Sequence, residues 1–88
     1  MVFIPGKEIV MVKRNIVLGN VANVQEFNRI CGHMDFDLDL AQGKYLVDAK
    51  SIMGIFSLDL SKPIDLNIHA DGAALDTVMA IINKYVTE

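Results

Sequence analysis

Apolar and polar residues recur with two different periods along this chain, and each change of period marks an element. From Met34 to Leu40 the period is two, with Met34, Phe36, Leu38 and Leu40 on one face and Asp35, Asp37 and Asp39 on the other. That is the pattern of a strand with one buried and one wet face. Gln42-Gly43-Lys44 is a turn, and Tyr45–Asp48 returns as the second arm of a hairpin. Alternation resumes at Ile64, Leu66, Ile68 and Ala70, with Asp65, Asn67 and His69 between them. Ile9–Arg14 sits in a run rich in Ile and Val and reads as a strand, placed in the interior of a sheet.

Three segments carry helical spacing instead. Val21, Val24, Phe27, Ile30 and Cys31 predict an amphipathic helix over Val21–Cys31, with Asn20 as N-cap and Gly32 as the stop. Leu75, Val78, Met79, Ile82, Tyr85 and Val86 form a broad apolar stripe on a final helix that Asp71 can cap. Between them, Ser51 can cap a short helix in which Ile52, Met53, Ile55, Phe56 and Leu58 follow within seven residues. Two helical turns cannot hide five large apolar groups on one side, so some of them should face solvent.

The order is strand, helix, strand, strand, helix, strand, helix. Such a chain can lay all three helices on one face of a four-stranded, mainly antiparallel sheet. The expected class is α+β, an open-faced sandwich of order βαββαβα, with the Asp-rich face left to water. Residues 1–7 read as a lead-in closed by Pro5-Gly6, and residues 8–88 as the single domain.

Composition adds limits. The 88 residues are 52% hydrophobic and hold one cysteine, Cys31, so no internal disulfide can form. A lone thiol suits a reducing, cytoplasmic setting. No apolar run is long enough to span a membrane. The net charge is −3 and the eight basic residues are scattered, which argues against nucleic acid as a direct partner. Two histidines and one cysteine do not make a structural zinc site. Asp35, Asp37 and Asp39 have the spacing of a calcium loop, but Leu40 stands where such a loop needs glycine. They read as a solvated strand face. No cofactor is indicated.

The run Lys50-Ser51-Ile52-Met53-Gly54, continued by Ile55-Phe56-Ser57-Leu58, resembles the regulatory-serine segment of the HPr family. These are the small phosphocarrier proteins of the bacterial sugar phosphotransferase system. The resemblance extends upstream to the Gly43-Lys44 turn and downstream to Ile64–Ala70 and Asp71-Gly72-Ala73. It runs through residues 34–86 and is weaker over residues 8–33. It implies the same βαββαβα order.

The resemblance also implies a phosphorylated histidine just before the first helix, with an arginine nearby. In this chain the matching segment is Leu18-Gly19-Asn20-Val21-Ala22-Asn23, and no histidine precedes His33. Asn20 matches the histidine and Ala22 the arginine. An amide nitrogen is not nucleophilic and cannot carry a phosphoryl group as imidazole does. No catalytic residue is therefore assigned, and the chain is not expected to be an enzyme. In this respect it is similar to the catabolite-repression paralogues of HPr.

The resemblance implies that Ser51 is a regulatory phosphorylation site for a dedicated kinase, HPr kinase/phosphorylase. Phosphoserine adds about −1.5 to −2 charges, favourable at a helix N-terminus. The alternative is that Ser51 only caps its helix, since the serine also occurs where no such kinase exists. Ile52, Met53 and Phe56, with Lys50 beside them, match the patch by which HPr docks on partner proteins. Such partners include a catabolite-control transcription regulator and phosphotransferase-system enzymes.

Two other functions stay open. One is a divergent phosphocarrier using His69 or His33, residues that otherwise read as a surface strand residue and a loop residue. The other is an assembly module without phosphorylation. Cys31, beside the apolar face of its helix, reads as a buried, inert thiol.

Overall fold

The computed structural model describes residues 11–70 and 72–87. Its elements, in chain order, are β1 (Val12–Ile16), α1 (Val21–Gly32), β2 (Leu38–Gln42), β3 (Tyr45–Asp48), α2 (Ile52–Phe56), β4 (Ile64–Ile68) and α3 (Gly72–Ile82). A single turn of tighter helix, Asn83–Tyr85, follows α3. The four strands form one sheet in the order β1-β4-β2-β3, with every neighbouring pair antiparallel. This is the α+β open-faced arrangement that the alternation of periods predicts.

The register explains which face is buried. Ile64, Leu66 and Ile68 of β4 stand opposite Ile16, Arg14 and Val12 of β1. Across the other side, Leu66 and Ile68 stand opposite Leu40 and Leu38 of β2. Of these seven apolar residues, Ile16, Leu38, Leu40, Ile64, Leu66 and Ile68 are fully buried, and Val12 packs against them. From above, α1 contributes Val24, Phe27 and Cys31, α2 contributes Ile55, and α3 contributes Val78 and Ile82. Phe27 meets Tyr85 edge to face, with ring centroids 5.8 Å apart, which ties α1 to the C-terminal turn.

The structure corrects the sequence reading in four places. β1 is an edge strand, not an interior one; β4 and β2 hold the middle. Its apolar richness reflects a different cover, because Val17 N–H donates to Tyr85 C=O at 3.0 Å and Ile16 bridges to Val86. Pairing in β2 begins at Leu38, four residues later than the alternation from Met34 suggests. Met34 and Phe36 still pack against the core, but β4 ends at Ile68 and offers them no ladder. Gly32 is the last residue of α1 rather than its cap; the helix closes through His33 N–H, without a left-handed glycine. Tyr85 and Val86 leave α3 for the tighter turn and the bridge to β1. The lead-in at residues 1–7, the start of the first strand at Ile9 and the cap at Asp71 lie outside the described residues.

The hairpin turn is where the sequence is most literal. Gly43 has φ +59°, a conformation that side chains resist, and it lets β2 and β3 join through Gly43-Lys44 alone.

Candidate functional site

Two helix N-termini organise the chemistry. At the first, Gly19 with φ +82° turns the chain out of the β1 end. Asn20 then adopts an extended backbone, and its Oδ1 accepts the Asn23 N–H at 2.8 Å. Asn23 in turn donates from Nδ2 to Leu18 C=O at 2.7 Å, which fixes the entry to α1 from both sides. Asn20, Val21 and Ala22 are exposed. The surface is thus one that solvent and partners can reach, with free backbone N–H groups and the positive end of the α1 dipole. Its side chains are two amides, an apolar group and a methyl. None is a nucleophile for phosphoryl transfer.

At the second, Asp48 and Ser51 build the entry to α2. Asp48 Oδ1 accepts Lys50 N–H at 2.8 Å, and Asp48 C=O accepts Ser51 N–H at 3.0 Å. Ser51 Oγ then accepts Gly54 N–H at 3.2 Å, so the predicted N-cap is present. Ser51 is an exposed residue. Lys50 lies beside it, but its ammonium donates to Met34 C=O at 2.9 Å. Its charge therefore sits over the connection between α1 and β2. Asn28 Nδ2 donates to Ala49 C=O at 3.2 Å and ties α1 to the same corner.

The five apolar residues of this segment divide as the crowding argument requires. Ile55 and Leu58 are buried, Ile52 is half-buried, and Met53 and Phe56 are 77% and 39% exposed. Ile52, Met53 and Phe56 thus share one accessible apolar surface on a helix capped by Ser51. Gly54 supports it from beneath: a β-carbon there would stand 3.1 Å from Val47 Cβ. The sequence marks Gly54 only as part of the resemblance; its packing role depends on how α2 crosses β3.

The histidines separate clearly. His33 is exposed at the end of α1. His69, just beyond β4, is half-buried, and its Nε2 lies 2.7 Å from Asp39 Oδ2. Single-strand alternation hides that pairing, because it needs the diagonal neighbour across the β2–β4 register. Cys31 is fully buried, and burial pushes its thiol up to about 12, so it stays protonated and inert. Beside the core, Glu26 accepts from the Tyr85 hydroxyl and pairs with Lys84. Those two hydrogen bonds hold the Glu26 carboxyl below its usual range. Burial, then Glu26, pushes the Tyr85 phenol up to about 12.

Among the described residues no group of three or more potential ligands could hold a metal ion, and no helix is long and apolar enough to cross a membrane. A family model described as "PTS HPr component phosphorylation site" matches residues 22–88. The chain belongs to the HPr family. The match opens at Ala22, two residues past the Asn20 cap, and takes in α1 from its second residue and every later helix and strand. HPr proteins are phosphocarriers that work through other proteins of the sugar phosphotransferase system. No curated protein and no solved structure matches the chain.

Proposed function

We propose that this chain is an HPr-family regulatory and interaction protein that does not carry a phosphoryl group on histidine. The observation that supports this most is Asn20. By the resemblance read from the sequence it matches the family's reactive histidine, and its side chain is used to cap α1. With Ala22 matching the assisting arginine in that resemblance, the helix end would favour negative charge but offers no nucleophile to exchange a phosphoryl group.

Regulation then rests with Ser51. A phosphoryl group on the hydroxyl of this exposed residue would lie at the N-terminus of α2, beside the Ile52, Met53 and Phe56 surface. Adding charge there changes which partners that surface accepts while leaving the cap region favourable to the anion. The partners are cytoplasmic bacterial proteins: HPr kinase/phosphorylase, a catabolite-control transcription regulator, or enzymes of the phosphotransferase system. Incubation with ATP and HPr kinase tests the switch. A single phosphoryl mass gain, lost in Ser51→Ala, supports it; an unchanged mass overturns it.

One observation favours a second function. The Asp39 contact orients His69 and leaves its Nδ1 without a partner among the described residues. If His69 accepts phosphoryl groups from Enzyme I, label disappears in His69→Ala. The carboxylates of Asp37 and Asp39 oppose the incoming anion, so this function ranks second.

A further inference from the structure

The two edges of the sheet are finished differently. Along β1 the chain's own C-terminal residues cover the strand, with Thr87 N–H donating to Asn15 C=O at 2.9 Å beside the Val17–Tyr85 bond. Along β3 no described residue pairs outward. Leu46 is 68% exposed there and Tyr45 53%. An open edge with apolar side chains and no proline is a template for another strand.

The backbone fixes how a strand could add. Ala49 N–H donates to Leu38 C=O at 2.9 Å, which sets the phase of the hairpin ladder. Counting back by twos, Leu46 and Asp48 turn their N–H and C=O groups away from β2. The Asp48 carbonyl is already taken by Ser51 N–H. Leu46 N–H, Leu46 C=O and Asp48 N–H remain.

We propose that β3 pairs antiparallel with β3 of a second copy of this chain, about a two-fold axis at Leu46. In that register the two Leu46 residues exchange N–H···O=C bonds. Asp48 N–H points at Lys44 C=O of the other copy, so the carbonyl lost to Ser51 is not needed. Tyr45 lies across from Val47, Leu46 from Leu46, and Lys44 from Asp48.

Charge selects this register over its neighbours. Sliding one way sets Lys44 against Lys50 and Leu46 against Asp48. Sliding the other way sets Leu46 against Lys44 and Asp48 against Gln42. Within one copy Asp48 stands directly across from Asp39, a like-charge pair; Asp39 contacts His69, while Asp48 accepts the Lys50 N–H and meets no cationic side chain among the described residues. Lys44 of a second copy supplies the missing cation. The arrangement is self-complementary, as a two-fold interface requires.

Sedimentation velocity of the full chain over a concentration series tests this. The wild type should self-associate as concentration rises. Leu46→Lys, at an exposed position that leaves the fold intact by circular dichroism, should weaken association by about tenfold or more. Lys44→Asp and Asp48→Lys should each weaken it alone. Their equimolar mixture should regain it, because both cross-strand positions then hold opposite charges. A chain that stays monomeric throughout, association unchanged in Leu46→Lys, or a mixture no better than its components would overturn the proposal.

Discussion

Gly54 and Val47 meet where α2 crosses β3, so closely that a β-carbon on Gly54 would stand 3.1 Å from Val47 Cβ. Val47 Cβ belongs to a strand and cannot rotate away. In an open helix Gly→Ala gains up to about 1 kcal/mol from propensity. Here the contact reverses the sign: Gly54→Ala should lose about 1 kcal/mol net, since overpacking costs about 1–3 kcal/mol. Urea denaturation checks it, and in a Val47→Gly background, which removes that Cβ, the loss should shrink.

Ser51 is a structural cap whatever else it does. Ser51→Ala removes the acceptor of the Gly54 N–H and should lower stability by about 1 kcal/mol. Ser51→Asp keeps an acceptor and adds charge at the favoured helix end, so it should hold stability within about 0.5 kcal/mol of wild type. Denaturant midpoints at low ionic strength make the comparison.

The exposed apolar surface on α2 should matter to binding and not to folding. Met53 is 77% exposed, so Met53→Glu should leave the denaturation midpoint within about 0.5 kcal/mol of wild type. Its affinity for HPr kinase should fall by about tenfold, the loss expected of an interface anchor worth about 1.4 kcal/mol. Calorimetric titration of the kinase with both chains reads the difference.

Acid should weaken the contact between α1 and the C-terminal turn. The folded Glu26 carboxyl sits below its usual value of 4.5, through Lys84 first and Tyr85 second. A depressed carboxylate contributes stability above its unfolded value and loses it as pH falls through the folded one. Stability should therefore drop below pH 4.5, and Glu26→Gln should flatten part of that slope. At the alkaline end Tyr85, raised from 10 to about 12, should cost stability as pH climbs through that window. Denaturation midpoints across pH read both.

Much of this fold is legible from side-chain periods alone. The alternation at Leu38–Leu40 and Ile64–Ile68, the Asn20 and Ser51 caps and the Gly43 turn all act locally, and each appears where the sequence puts it. Strand order is not local. The Ile and Val content of β1 reads as interior, yet its outer edge is covered by Tyr85–Thr87, more than sixty residues away. The same limit hides the Asp39–His69 contact, made by residues thirty apart in the chain, and the Gly54–Val47 approach, which depends on how α2 packs on β3. At the candidate site, the serine and its apolar neighbours are readable as a motif. That Lys50 spends its ammonium on Met34 C=O is not, because the partner is a backbone carbonyl in an irregular connection.

The proposed function rests on the loss of histidine carrier chemistry at α1 of this HPr-family chain. Intact-mass spectrometry after incubation with phosphoenolpyruvate and Enzyme I tests it most directly, with a histidine-containing HPr protein alongside to show that the enzyme is active. The mass of this chain should stay unchanged while the control gains a phosphoryl group. A phosphoryl gain on this chain would contradict it, and its loss in His69→Ala would move the acceptor to the Asp39–His69 pair.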